Sequence, residues 1–135
     1  VEAKVKETIA SLGLVRESLD RPYLPVGSCF LIEGAPSRFL IIAPTMLLPR
    51  DIRGTKNVFW AMYGILNLLK KLESKVSLAE VICPALGGGI GMVPPEEIAR
   101  QCKLAYDLFS RSLASAPKDT SSVFWLYLSS IRTDY

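Results

Sequence analysis

The 135-residue chain has the length of one ordinary domain, and hydrophobic residues make up 50% of it, enough for a single buried core over residues 1–135. Its 16 basic and 13 acidic residues are scattered, which argues against a nucleic-acid-binding surface, and the lack of histidine excludes a Cys/His zinc site. The longest apolar run, residues 39–49, is shorter than the ~20 residues of a membrane span, so we expect no membrane partner.

The first part of the chain predicts one helix followed by two strands. Apolar residues recur at helical spacing at the start, at Val1, Val5, Ile9 and Leu12. The segments 28–35 and 38–46 follow the pattern of strands, with turn residues between them. The continuous apolar run 39–43 indicates a central strand that is covered on both faces.

The second part predicts helices over 57–73 and 95–114, with a buried strand over 79–84 and a last strand over 122–130. Strands that are separated by helices of this length predict an α/β fold with a mixed, largely parallel sheet and helices on both faces. We therefore expect 38–43 and 79–84 to be adjacent central strands. Four of their side chains should be among the least accessible, namely Ile41, Ile42, Val81 and Ile82.

A glycine-rich stretch, ALGGGIG, lies between the predicted strand 79–84 and the helix that follows it. Its glycines allow positive φ and close backbone approach, so successive N–H groups can converge on an anion near the positive end of the helix dipole. Phosphate is the natural ligand for such a loop, although a tight strand-to-helix connection is the alternative. A Walker loop is excluded because no Gly-Lys-Ser/Thr follows, and a dinucleotide fingerprint would need a glycine at Met92.

The segments FLIIAPTM and CPALGGGIGMVPPEEIARQ resemble the macro domain, in particular its bacterial and phage-like branch. The Gly54-Thr55 pair with Asn57 is similar to the helix entry of that branch. The resemblance implies a three-layer α/β/α sandwich that binds ADP-ribose or a related nucleotide diphosphate, or an ADP-ribosylated protein. It covers about residues 1–128.

The resemblance also implies which residues form the binding site. The backbone of the glycine loop would wrap the diphosphate and the far ribose, and the end of the preceding strand would form the neighbouring wall. The implied site residues are Gly87, Gly88, Gly89, Ile90, Gly91, Met92, Ala43, Pro44 and Thr45. It implies no metal and no separate cofactor.

This sequence departs from the family pattern in three ways. Gly88 stands where a hydroxyl residue is usual, and Met92 and Val93 offer no aromatic ring to the distal sugar. The family's first two strands and first binding loop would precede Val1, so we expect either a preceding segment or a second chain to complete the sheet.

Two functions follow from these observations. The first is an ADP-ribose-binding module. If this module is also an enzyme, the resemblance implies that it hydrolyses an ADP-ribosyl group or ADP-ribose phosphate. The sequence identifies no catalytic residue for such a reaction. The second is a degenerate scaffold or interaction protein within a larger assembly. The three cysteines, Cys29, Cys83 and Cys102, are expected to be reduced and mostly buried, as in a cytoplasmic protein.

Overall fold

A computed structural model describes residues 2–11, 15–16, 21–34, 38–75, 77 and 80–114. Three helices and four short strands lie within these ranges. In chain order they are α1 (Glu2–Ser11), β1 (Val15–Arg16), β2 (Arg21–Pro22), β3 (Phe30–Glu33), β4 (Phe39–Ile42), α2 (Asn57–Leu72) and α3 (Pro95–Ala114).

The described strands form two separate antiparallel pairs, β1 with β2 and β3 with β4. In the longer pair the register runs from Phe30 opposite Ile42 to Glu33 opposite Phe39. The N–H of Gly34 donates to the carbonyl of Arg38 over 3.0 Å and closes the connection. A connection this short joins antiparallel neighbours, because a parallel pair needs a crossover of a dozen or more residues.

The predicted three-layer α/β/α sandwich with a mixed, largely parallel sheet is therefore wrong for the residues that the structure describes. Strand 38–43 was expected beside 79–84, but β4 pairs with its sequence neighbour β3. In this hairpin the backbone of β4 hydrogen-bonds to β3, so β4 needs no long-range crossover to find a partner strand. The apolar run 39–43 is not covered on both faces, since Ile41 and Ile42 are only half-buried and Leu40 is 43% exposed.

Residues 79–84 were expected to form a buried strand, and this prediction is also wrong for residues 80–84, the part of it that the structure describes. They adopt no strand conformation, and the side chains of Val81 and Ile82 are 46% and 86% exposed. A strand needs a partner for its ladder of hydrogen bonds, and an apolar composition alone does not supply one. The predicted last strand, 122–130, lies outside the described residues.

The helices that were predicted over 57–73 and 95–114 are confirmed as α2 and α3, and they pack against each other. Each buries the apolar residues that recur every three or four positions, as an amphipathic helix does. The fully buried ring of Phe59 on α2 lies edge-on to Trp60 and stacks on Tyr63, with centroid separations of 4.9 and 6.1 Å. Ala105 of α3 lies in the same cluster.

A second hydrophobic cluster joins the two helices to the long loops that precede them. It consists of buried Ile52, Val58, Val93 and Ile98, with half-buried Met46, Leu86 and Cys102 packed against it. We call this the loop-side cluster. It fixes the loop before α2 and the glycine loop before α3 to one common base.

Gly64 allows α2 to approach the turn at Gly27 closely. A Cβ on Gly64 would lie 2.3 Å from the carbonyl oxygen of Gly27, which is a backbone atom that cannot rotate away. We predict that Gly64→Ala lowers the free energy of unfolding by about 2 kcal/mol, because overpacking outweighs the gain in helix propensity. Urea unfolding measures this change.

Gly89→Ala is the control for that experiment, because a Cβ on Gly89 would meet nothing within 4 Å and its φ is not positive. Its free energy of unfolding should stay within about 0.5 kcal/mol of the parent. If Gly64→Ala is as stable as Gly89→Ala, the close contact between α2 and the Gly27 turn does not exist.

Candidate functional site

The glycine loop, residues 86–93, is built from tight backbone turns. The N–H of Gly88 donates to Ala85 over 3.1 Å, that of Met92 to Gly89 over 3.0 Å, and that of Val93 to Gly87 over 3.1 Å. Gly87 has φ of 76°, and its Cα faces the loop-side cluster, where a Cβ would lie 3.1 Å from Val58 Cγ2. The loop is thus folded back on itself over a hydrophobic base.

Three consecutive N–H groups in this loop, those of Gly89, Ile90 and Gly91, have no hydrogen-bond acceptor among the described residues. Gly89 is exposed with open space beside its Cα, and Ile90 is 67% exposed, whereas Gly91 is buried at the inner side of the loop. Backbone N–H groups are normally paired, with protein or with solvent, so a run of three defines a concentration of unused donors. Such a run suits an anion.

Helix α3 begins immediately after the loop and adds a favourable field. The carbonyl of Pro94 accepts the first bonds of the helix, from Glu97 and Ile98, both at 3.0 Å. Pro94 and Pro95 have no N–H to leave unsatisfied, which suits a helix start. The 20 residues of α3 place the positive end of the helix dipole beside the loop.

The loop before α2 lies against the glycine loop. The N–H of Ile52 donates to the carbonyl of Gly91 over 3.0 Å, and the Asn57 side chain donates through Nδ2 to the carbonyl of Thr45 over 2.8 Å. Met46 packs on the loop-side cluster. The structure thus ties both predicted parts of the site, the strand end at Thr45 and the glycine loop, to the same base.

The predicted wall residues Ala43, Pro44 and Thr45 are all half-buried. The carbonyl of Thr45 is held by Asn57, and no hydrogen bond of its hydroxyl is found within the described part of the chain.

The loop before α2 is also positively charged. Residues 50–56 contain three basic side chains, Arg50, Arg53 and Lys56, against one acidic side chain, Asp51. The Arg53 guanidinium forms a bidentate pair with the Asp51 carboxylate, and these hydrogen bonds lower the pKa of Asp51. The surplus of basic residues beside the glycine loop favours an anionic ligand.

A buried polar network holds the start of α2 to α3, and Gln101 is its centre. Gln101 is 1% exposed; its Oε1 accepts from the N–H of Phe59 over 2.9 Å, and its Nε2 donates to the carbonyl of Thr55 over 2.8 Å and to Glu97 Oε1 over 2.7 Å. The residue at the N-cap of α2, Lys56, makes no side-chain cap. A residue of another helix therefore caps α2.

Thr55 and Asn57 complete this network at the helix start. Thr55 and Asn57 are 2% and 0% exposed. The hydroxyl of Thr55 donates to the carbonyl of Ile52 over 2.7 Å and accepts from the N–H of Asn57 over 3.4 Å. First-turn N–H groups lack intrahelical partners, so these contacts satisfy donors that would otherwise be buried unpaired.

The sequence indicated the Thr55 and Asn57 positions through family resemblance, but it missed Gln101. The signal was present, because Gln101 lies three residues after Ile98 and four before Ala105, on the apolar face of α3. A polar residue on that face must have buried partners.

The glycines of the loop do not all adopt the positive φ that the sequence analysis allowed for. Within the loop only Gly87 and Met92 have positive φ, at 76° and 55°. Gly91 is needed for close approach, since a Cβ there would lie 2.6 Å from the carbonyl oxygen of Gly87. Neither a positive φ nor a close contact requires glycine at position 89. The local fold therefore does not explain the glycine at this exposed position.

The cysteines are free, but they are not all buried as expected. Cys83 is exposed, while Cys29 and Cys102 are half-buried. Desolvation raises the pKa of all three thiols, so none is an activated thiolate. No group of three or more side chains that could hold a metal ion occurs among the described residues.

We predict that Gln101→Met lowers the free energy of unfolding by about 3 kcal/mol, because it removes the buried acceptor of the Phe59 N–H and the buried donors to the Thr55 carbonyl and to Glu97. Chemical denaturation measures the loss. Lys103→Met is the matched control, since the Lys103 side chain is 75% exposed on the same helix. Equal stability of both variants would show that Gln101 does not cap α2.

A second prediction concerns Met92, a bulky residue in the left-handed region. Met92→Gly should raise the free energy of unfolding by about 0.5 kcal/mol, because the relief of strain exceeds the entropy cost of glycine. Ile90→Gly, at an exposed neighbour without positive φ, should instead lower it by about 0.5 kcal/mol. A shift of the same sign in both variants would contradict the strain at Met92.

The chain is similar in sequence to a protein of unknown function, but it matches no protein family. No protein-family model matches the chain, and no solved structure resembles it significantly. An uncharacterized protein of Aeropyrum pernix is 34% identical over 91 residues, which cover 66% of this chain and 46% of that protein. The match thus spans less than half the length of this relative. Within the described residues, no helix is both long and apolar enough to cross a membrane.

Proposed function

We propose that this chain binds ADP-ribose or a related nucleotide diphosphate, and that the glycine loop holds the diphosphate through its main chain. The observation that carries the proposal is the run of three N–H groups, from Gly89 to Gly91, without acceptors in the described structure. Each phosphate carries several acceptor oxygens, so a diphosphate can accept from successive N–H groups at once.

Electrostatics around the loop support an anionic ligand of this kind. The loop lies at the N-terminus of the 20-residue helix α3, and residues 50–56 add a surplus of positive charge. The resemblance of the same residues to the macro domain is the reason for proposing the diphosphate of ADP-ribose as this anion. The choice of nucleotide therefore comes from the resemblance, whereas the geometry of the loop supports the binding of a phosphate.

The remaining site residues would contact the rest of the nucleotide. Half-buried Ala43, Pro44 and Thr45 lie on the loop that is tied to the glycine loop, with the Thr45 hydroxyl as a polar contact. Ile90 and Met92 are 67% and 55% exposed. They would offer apolar surface to a sugar in place of the aromatic ring that many macro domains use.

The proposal is for binding, not for turnover. Glu97 is the half-buried carboxylate nearest in sequence to the loop, and it pairs with Arg100 and Gln101, which suits a structural role. The free cysteines suit a reducing compartment, so we place the protein in the cytoplasm as part of this proposal.

An interaction scaffold is the second candidate, and exposed apolar surface favours it. Val81 and Ile82 are substantially exposed. A groove of about 520 Å³ between α2 and α3 is lined by Leu66, Leu69, Val81, Phe109 and Leu113, together with the polar residues Lys70, Glu73 and Ser77. Exposed apolar surface of this kind marks contact sites. A second chain or a further segment that covers it would fit this function.

The test replaces Gly89, whose exposed position accepts a side chain without a clash. Gly89→Glu places a negative charge where the diphosphate should bind, and it should weaken ADP-ribose binding by about 2 kcal/mol, or roughly 30-fold. Gly89→Gln has nearly the same shape without the charge and should lose much less. Isothermal titration calorimetry measures both affinities, and thermal unfolding confirms that each variant folds.

Equal affinity of the Glu and Gln variants would contradict phosphate binding at this loop. If the parent does not bind ADP-ribose at all, the scaffold function is the better account. Gly91 is unsuitable for this test, because any side chain there would collide with Gly87 and Ile52 and disturb the fold itself.

A further inference from the structure

The segment that leads into the glycine loop runs along α3 in the opposite direction. At its start, Val81 shares the apolar groove with Phe109 and Leu113 near the end of α3. Further on, Leu86 packs on the loop-side cluster with Ile98. At Gly88 a Cβ would lie 3.2 Å from Ile98 Cδ1, at the start of the helix. The segment is therefore anchored to α3 on both sides of residue 83.

Cys83 lies between these anchors, and Cys102 lies on the part of α3 that they bracket. Cys102 packs on the loop-side cluster together with Leu86, three residues after Cys83. Burial raises the pKa of Cys102, and negative charge on Cys83 raises it further, an effect that falls off with distance. Both thiols are free, and Cys83 is exposed to reagents.

We propose that Cys83 and Cys102 form an intramolecular disulfide when a small-molecule disulfide such as oxidised glutathione is present, and that this bond clamps the glycine loop to α3. The thiolate of Cys83, the exposed member of the pair, attacks the small disulfide, forms a mixed disulfide and releases one small thiol. Cys102 then attacks the Cys83 sulfur and releases the second small thiol. The protein loses two electrons and two protons, and the small disulfide gains both.

The clamp would close a loop of 20 residues, from Cys83 to Cys102, that contains the whole glycine loop. A cross-link of this length restricts the unfolded chain and should raise the melting temperature by roughly 5 °C or more. It also fixes the backbone that enters the glycine loop. Its effect on ligand affinity rests on the function proposed above, and we expect ADP-ribose to bind about threefold more tightly to the oxidised protein, since pre-organisation lowers the cost of binding.

The experiment treats the parent chain, Cys29→Ser, Cys83→Ser and Cys102→Ser with oxidised glutathione, followed by intact mass and peptide mapping. The parent and Cys29→Ser should each lose two hydrogens in mass and yield a linked Cys83–Cys102 peptide, and their melting temperatures should fall again on reduction. Cys102→Ser should retain a mixed disulfide with glutathione at Cys83, Cys83→Ser should yield no linked peptide, and neither variant should show a rise in melting temperature.

A parent that carries glutathione on both cysteines without forming the bond would overturn the proposal, as would a linked peptide that contains Cys29. Equal ADP-ribose affinity of the oxidised and reduced parent would show that the disulfide does not strengthen ligand binding. If neither form binds ADP-ribose while the disulfide forms and stabilises the protein, the proposed function fails and the disulfide itself stands.

Discussion

The described structure depends on one buried side chain, Gln101, which connects the two long helices through their backbones. Its oxygen accepts from the first turn of α2 and its amide nitrogen donates to the loop before that turn. Because an unpaired buried donor or acceptor costs on the order of 1–3 kcal/mol, each of these contacts holds α2 in a defined position along α3. The hydrophobic clusters contribute buried apolar surface, whereas Gln101 fixes the register of α2 along α3.

The candidate site follows from that register. Fixing the start of α2 fixes Asn57, which holds Thr45, and Ile52, whose N–H holds Gly91. The base of the glycine loop is therefore rigid and apolar, while its outer N–H groups point to no acceptor in the described structure. A rigid loop with unused donors at a helix N-terminus loses little entropy when an anion binds.

Sequence reasoning succeeded where the determinants are local. The spacing of Val58, Ala61 and Ile65 defines α2, and the Pro94-Pro95 pair with the glycines before it defines the start of α3. It failed for residues 79–84, because apolar composition does not say whether a strand has a partner. The place of Gln101 on the apolar face of α3 is visible in the sequence, but its capping partner is not, because the contact joins residues 42 positions apart.

The central claim is that the N–H groups of Gly89, Ile90 and Gly91 receive the phosphate oxygens of the ligand. The most direct measurement is a titration of the ¹⁵N-labelled chain with ADP-ribose, followed by the amide resonances in heteronuclear NMR spectra. Saturable downfield shifts of these three amides, with little change at the Gly64 amide, which lies against the Gly27 turn, are the predicted result. Shifts confined to the groove between α2 and α3, or no shifts at all, would contradict the account.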